Sequence, residues 1–234
     1  MRLTNLIPNF LKPILRPIYR AFVSSWVYRK IVYRPKSRNE LHQYWRQPWD
    51  GSNLPQGYLE GKARSQFLVG IMKKYVNPDA KILEIGCNVG RNLNYLFQDG
   101  FKKLEGIEIS EKAVRLLKEA YPEMASHTNI YNIPVEEIIK DFRDCEFDVV
   151  FTMAVLEHIH TDSEWVFHEM VRITKDFLII IEDEHGLSWR HFPRNYKKVF
   201  DPLGMKQIEE INCGEVHGLG SNFFARIFKK VSPC

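Results

Sequence analysis

Residues 83–90 read LEIGCNVG. An acid, Glu84, sits inside what reads as the end of a buried strand, and Gly86 and Gly90 bracket a turn into a helix. Gly86 lets the backbone turn tightly and lets a ligand approach with no Cβ in the way. Gly90 opens the next helix, whose free N–H groups favour an anion or a polar head. Asn88 sits mid-turn, and asparagine tolerates left-handed geometry better than other non-glycine residues. A second acid, Glu108, lies 22 residues beyond Gly86 and ends a strand in GIEIS. An acid at that distance can accept hydrogen bonds from the ribose hydroxyls of an adenosine-containing cofactor. The competing reading of Glu108 is a helix-start acid favoured by the macrodipole. The G-x-G-x-x-G fingerprint of a nicotinamide dehydrogenase is not what stands here. The spacing E-x-G-x-x-x-G does not suit a pyrophosphate cradle, and a carboxylate at Glu84 suits a cofactor with a cationic head.

Alternating elements must position these residues. Helical segments are expected at ARSQFLVGIMKKYV, RNLNYLFQDG, EKAVRLLKEAYP, PVEEIIKDF and SEWVFHEMVRIT. Ser110 is the expected cap of the third and Thr161 or Asp162 that of the fifth. Strands are expected at KILEIG, KKLEGIEIS, NIYNI, FDVVFTM and FLIIIEDE, followed by two more, MKQIEEINC and SNFFARIFKKV, joined by GEVHGLG. Alternation of strand and helix predicts a mostly parallel α/β sheet with helices on both faces, and the last two strands predict an antiparallel hairpin at one edge. Ligands of such sheets bind at the carboxyl ends of the strands, where the strand order reverses.

With 44% hydrophobic and 26% charged residues in 234, the composition supports one ordinary globular core and excludes disorder-like or collagen-like classes. The four cysteines are far apart and form no C-x-x-C pair, so neither a disulfide framework nor a zinc site is expected, and a reducing, cytoplasmic compartment fits. His158 and His160 stand two apart with no further ligand motif, so no metal is expected. The net charge of +4 conceals an asymmetry: residues 1–39 hold nine Lys and Arg and no acid, which leaves −5 for the rest. Three readings of this basic arm stand. It lies peripherally on an anionic membrane surface such as the inner membrane face, it is an organellar targeting peptide, or it packs on the body as an extra helix. Its apolar stretch is too short and too charged to span a bilayer. No motif supports nucleic-acid binding. Residues 40–62, rich in Trp, Tyr, Gln, Gly and Pro, read as a lid over a pocket or as an aromatic clamp between arm and body. Residues 63–234 form the body.

Three blocks of the body, in this order, carry a family resemblance: VNPDAKILEIGCNVGRNLNYL, LEGIEISEKAVRLLKEAYP and FDVVFTMAVLEHI. Together they resemble the class I S-adenosylmethionine-dependent methyltransferases of the small-molecule, type 11/23-like kind. The resemblance implies a Rossmann-like three-layer fold with a seven-stranded sheet in the order 3-2-1-4-5-7-6 and the last strand antiparallel. It implies S-adenosyl-L-methionine as cofactor, with Glu84, Gly86, Cys87, Asn88 and Gly90 around its methionine end. Glu108 would hold the ribose and Ile109 would lie against the adenine, with Pro134 and Val135 at the adenine edge. Thr152, Met153 and Ala154 would pass beside the sulfonium, and Arg64 would either reach the cofactor carboxylate or serve a surface salt bridge.

A sulfonium makes its methyl strongly electrophilic, so alignment supplies much of the rate. A hydroxyl acceptor would also gain from a general base. His158 is the first candidate, with a helix-packing histidine as its other reading, and Glu182 and His185 at the end of the fifth strand are the next. His191, Arg194 and Tyr196 are candidates for binding an anionic or sugar-like acceptor. No N/D-P-P-Y segment follows the fourth strand, which argues against base or glutamine-amide methylation. The expected acceptor is a small molecule, a glycan or a lipid-linked compound, with O-methylation favoured. A catalytically inactive cofactor-binding regulator and a nucleotide-dependent oxidoreductase are the alternatives.

Overall fold

The computed structural model describes residues 36–49 and 51–231. The basic arm lies almost entirely outside them. A helix α1 (Arg38–Arg46) is opened by a reciprocal capping box between Ser37 and Glu40, and so runs across the expected boundary between arm and lid. Two 3-10 turns follow at Gly51–Asn53 and Pro55–Tyr58. The body then alternates: α2 (Lys62–Tyr75), β1 (Lys81–Ile85), α3 (Arg91–Gln98), β2 (Lys103–Ile107), α4 (Glu111–Ala120), α5 (Pro122–Ser126), β3 (Asn129–Tyr131), α6 (Val135–Ile138) and β4 (Phe147–Met153). After it come α7 (Trp165–Ile173), β5 (Thr174–Asp183), α8 (Tyr196–Phe200), β6 (Met205–Asn212) and β7 (Phe223–Lys230).

The strands form one seven-stranded sheet in the order β3-β2-β1-β4-β5-β7-β6. β1 through β5 pair in parallel, while β7 runs antiparallel to both β5 and β6. This is the expected three-layer fold. Strand parity divides the core. Ile82, Phe151, Ile179 and Ile181 face α2 and α3, which contribute Leu68, Met72, Leu93 and Leu96. Leu83, Ile85, Val150, Leu178 and Ile180 face α7 and α8, which contribute Val166, Met170, Tyr196 and Phe200. A sheet buried on both faces accounts for the continuous apolar runs of β4 and β5.

Several local expectations need correction. Pro122 ends α4 but also opens α5 at its first position, where a missing N–H costs nothing. Neither Thr161 nor Asp162 caps α7. A 3-10 turn at Thr161–Ser163 precedes it, and the capping side chain there is His160, which accepts from the Asp162 N–H. Ser110 does cap α4, accepting from the Ala113 N–H. The segment RHFPRNY, which holds the acceptor-binding candidates His191, Arg194 and Tyr196, leads into α8, capped by Asn195. Cys87 and Cys213 are buried free thiols, whereas Cys145 is disulfide-bonded.

Candidate cofactor and acceptor site

The turn after β1 is built from left-handed residues. Gly86, Asn88 and Gly90 have φ of 75°, 49° and 71°. A Cβ on Gly86 would stand 2.4 Å from Val155 Cγ2, and one on Gly90 would stand 2.6 Å from Leu117 Cδ1. The two glycines are therefore required for conformation and for close approach, and Asn88 adopts the geometry that asparagine tolerates. The turn hangs on β2: the N–H groups of Gly86 and Cys87 both donate to the Ile107 carbonyl, at 2.8 and 2.9 Å.

Glu84 faces the helix side of this turn and is 2% exposed. Asn92 Nδ2 donates to its Oε1 at 2.8 Å. Its other oxygen, Oε2, is buried and has no partner among the described residues. Burial, opposed by Asn92 and Arg91, pushes the Glu84 carboxyl up to about 8. Asn92 is itself fixed by Ser65, whose Oγ donates to Asn92 Oδ1 at 2.8 Å and accepts from Arg91 Nε at 2.8 Å. Arg91 Nη1 donates to the Tyr58 and Glu60 carbonyls, both at 2.7 Å, which ties the segment before α2 to the turn.

Glu108 is buried at the end of β2, and burial raises its carboxyl to about 7. Its Oε2 accepts from the Asn88 N–H at 2.9 Å and its Oε1 from the Ser110 N–H at 2.7 Å. The acid thus serves the helix start and also staples the two turns together. The Ile109 N–H also acts on this carboxylate, and of its roughly four lone-pair sites capacity remains for a ligand hydroxyl.

These turns form one wall of a cleft at the carboxyl ends of β1, β2 and β4. Of the residues expected at the cofactor, Arg64, Glu84, Gly86, Cys87, Asn88, Glu108, Ile109, Pro134, Val135, Met153 and Ala154 line it. Ala154 holds φ of 58° where the chain leaves β4. Gly90 lies behind the wall as the cap of α3. Thr152 is fully buried and donates to Glu182 Oε1 at 2.7 Å, away from the cleft, because strand alternation turns it from the side of Met153. The Arg64 guanidinium packs beside Gly61 and Gly218, its Nε is buried without a partner, and it forms no salt bridge among the described residues.

The opposite wall comes from α1, whose Leu41, His42 and Trp45 line the cleft. The same helix is also an aromatic clamp. Tyr44 is fully buried, with the rings of Trp45, Trp49 and Trp189 at 5.0, 4.6 and 4.9 Å. Contacts of His42 with Glu136 (3.1 Å) and of the Arg46 carbonyl with Ser110 Oγ (3.2 Å) hold α1 across the opening. Cover and clamp are one structure.

The three candidate bases separate. His158 lines the cleft, with Nδ1 2.9 Å from the Arg190 carbonyl and its ring 4.6 Å from that of Trp45. Burial, with His191 nearby, lowers it to about 3. Glu182 is fully buried and holds the turn after β4, accepting from the Val155 and Glu157 N–H groups at 2.8 and 3.3 Å. It does not reach the cleft. His185 is exposed beside Phe224, outside the cleft. Of the acceptor-binding candidates, Arg194 is spent on the Leu156, Phe192 and Ile159 carbonyls and Tyr196 is buried in the core.

The sequence reading missed Ser65, Arg91, Asn92 and Trp45. The polar trio had one visible signal: RN at the start of α3 places polar side chains where an apolar helix face should begin. Glu157, His158 and His191 bring ligand atoms within 4.8 Å of one another, a meeting that the spacing of His158 and His160 did not show.

The strand order, the left-handed turn and the acid beneath it are those of the class I, S-adenosylmethionine-dependent methyltransferase fold. Residues 83–179 match the family described as Methyltransferase domain. Among relatives by sequence are the eEF1A lysine and N-terminal methyltransferases of Homo sapiens, 28% identical over 97 residues, and of Mus musculus, 28% identical over 99 residues. Each alignment covers 42% of this chain and 14% of the relative, so the chain spans a small part of those proteins' length. A similar solved structure is that of geranyl diphosphate methyltransferase in complex with GPP and sinefungin, with a TM-score of 0.65 and 11% identity, covering 84% of this chain and 100% of that one. The site fits S-adenosylmethionine as the cofactor: the buried Glu84 Oε2, without a partner among the described residues, suits a ligand ammonium.

Proposed function

We propose that this domain methylates a hydroxyl of a small molecule, of the glycan or lipid-linked kind. The observation that carries the donor half is Glu84 Oε2, a buried carboxylate oxygen with no protein partner in the wall of the cleft. In this reading Glu84 takes the ammonium of the bound cofactor, Arg64 faces its carboxylate, and Glu108 takes the ribose hydroxyls. Ile109, Pro134 and Val135 border the adenine, and Met153 and Ala154 pass the reacting end. When bound, the cofactor supplies an electrophilic methyl group.

For the acceptor half, Trp45, Val155 and Ile159 give the cleft an apolar side. Trp45 Nε1 is buried without a partner, a donor suited to an acceptor oxygen. A cleft covered by α1 favours a small acceptor over a folded protein surface. His158, held neutral down to about pH 3, is a weak base. The reading therefore assigns the rate to alignment and exclusion of water rather than to a strong side-chain base.

A second reading, a protein amine as acceptor, draws on the names of the eEF1A methyltransferases. Incubating the full chain with methyl-labelled S-adenosylmethionine and fractionated cell extract tests both. Label in a low-molecular-mass or lipid fraction, with S-adenosylhomocysteine formed in step, supports the proposal. Label in protein alone moves the acceptor to the second reading. Cofactor binding with no turnover in any fraction supports a regulatory, inactive domain instead.

A further inference from the structure

Directly behind the acceptor side of the cleft, three side chains converge. Glu157 and His158 belong to the 3-10 turn that follows β4, and His191 comes from the segment between β5 and α8. Glu157 Oε1 lies 3.5 Å from His158 Nε2 and 3.6 Å from His191 Nε2. Both distances are too long for hydrogen bonds. They match the edge of a tetrahedron about 3.4 Å long that follows from metal–ligand bonds of about 2.0–2.2 Å.

The remaining atoms of the three side chains are already engaged, and in the manner that frees the converging ones. His158 Nδ1 lies 2.9 Å from the Arg190 carbonyl, which can only accept, so Nδ1 carries the proton and Nε2 keeps its lone pair. His191 Nδ1 lies 2.5 Å from Ser188 Oγ. Glu157 Oε2 accepts from the Asp183 N–H at 2.5 Å. Outer contacts of this kind fix the tautomer and the orientation of metal-binding histidines. The surrounding charges oppose one another: Asp183 and Glu182 lie close enough to act on Glu157 in a cation's favour, whereas the Arg190 guanidinium acts on all three side chains with the opposite sign. The guanidinium of Arg190 stacks near Tyr44 and Trp189, 5.9 and 5.7 Å from the ring centres. The Glu157 side chain is 4% exposed and those of His158 and His191 are 12% and 18%, a buried site with an entry on the His191 side.

We propose that Glu157, His158 and His191 bind one divalent transition-metal ion of the zinc class, through one carboxylate oxygen and two imidazole Nε2 atoms. Three protein ligands leave a fourth position for water or for an oxygen ligand. His158 also lines the cleft, so the ion would sit beside the acceptor. The ion would add a clamp between the turn after β4 and the 184–195 segment, two stretches already joined by the Phe192 N–H to Glu157 carbonyl bond of 2.7 Å, by His158 Nδ1 to the Arg190 carbonyl, and by Arg194 to the Leu156 and Ile159 carbonyls. This site does not depend on which acceptor the domain uses.

The test uses the full chain stripped with chelator. Zn²⁺ is titrated in by competition with a chromophoric chelator, and Co²⁺ is titrated separately and followed by its visible d–d bands. One equivalent should bind, and melting should rise with Zn²⁺, as for any ligand of the folded state alone. His191→Ala removes a half-buried ligand that does not line the cleft; it should weaken Zn²⁺ binding at least about 10-fold and leave S-adenosylmethionine binding unchanged. Glu157→Gln should do the same to Zn²⁺ if it folds, which the cofactor titration reports. Failure of the wild-type chain to bind one saturating equivalent, or equal Zn²⁺ affinity in His191→Ala, would overturn the proposal.

Discussion

Asn92 Nδ2 donates to Glu84 Oε1 at 2.8 Å and leaves Glu84 Oε2 without a partner in a buried wall of the cleft. One amide thus aims the carboxylate and satisfies only half of it. Asn92→Ala should lower S-adenosylmethionine affinity about 10-fold, since a hydrogen bond to a charged group is worth about 1.5–3 kcal/mol. Glu84→Gln should lower it further, because the charge itself is lost. Calorimetric titration with the cofactor measures both, with circular dichroism as the check on folding. Unchanged affinity in both variants would remove Glu84 from the site.

The same carboxylate sets a pH dependence. Burial raises Glu84 to about 8 in the free protein, from 4.5 for the exposed side chain. The folded chain therefore holds a proton that the unfolded chain gives up, so this group's contribution to stability is full below about pH 4.5 and is lost as pH rises toward 8. A ligand ammonium prefers the ionised form, so binding near pH 7 should expel a proton and affinity should rise with pH up to about 8. Calorimetry at pH 7 in two buffers of different ionisation enthalpy reads the proton directly. The buffer dependence should shrink in Glu84→Gln, with the remainder belonging to Glu108, raised to about 7 beside it.

Gly86 combines φ of 75° with a Val155 methyl 2.4 Å from where a Cβ would stand. Gly86→Ala should therefore cost stability by about 1–2 kcal/mol from left-handed geometry alone, and more from the displaced Val155, and cofactor binding should fall with it. Gly57 has nothing within 4 Å of its added Cβ, so Gly57→Ala is the matched control and should melt close to wild type. Thermal melts of the two variants side by side decide the point.

What could be read from the chain divides along physical lines. The strands and the turn at Gly86, Asn88 and Gly90 were legible because alternation, apolar runs and left-handed geometry are written locally, whereas the strand order came from the family resemblance. Thr152 was misplaced at the cofactor although parity with Met153 assigns it to the other face. Ser65, Arg91 and Asn92 were not legible as a unit, since Ser65 meets the other two across 26 and 27 residues of chain. Glu182 and His185 are neighbours of the site in sequence only. One is consumed by the backbone of the turn after β4, and the other points to solvent. The meeting of His191 with Glu157 and His158 required the path of the chain between β5 and α8, which no spacing rule supplies.

The arm offers the last prediction, from charge alone. Residues 1–39 carry nine basic side chains and no acid, with Phe22, Trp26 and Tyr33 among them. Among the described residues no helix is long and apolar enough to cross a membrane. Basic side chains near an anionic surface contribute about 1 kcal/mol each, and this attraction is screened by salt. The full chain should therefore co-sediment with vesicles containing phosphatidylserine and be released as salt rises, whereas neutral vesicles should retain far less. A chain beginning at residue 36 keeps the Ser37–Glu40 capping box and the whole sheet, so it should fold and bind cofactor while losing the vesicles. Equal sedimentation of the two chains would separate the methyltransferase domain from any membrane role of its arm and turn the search toward freely diffusing acceptors.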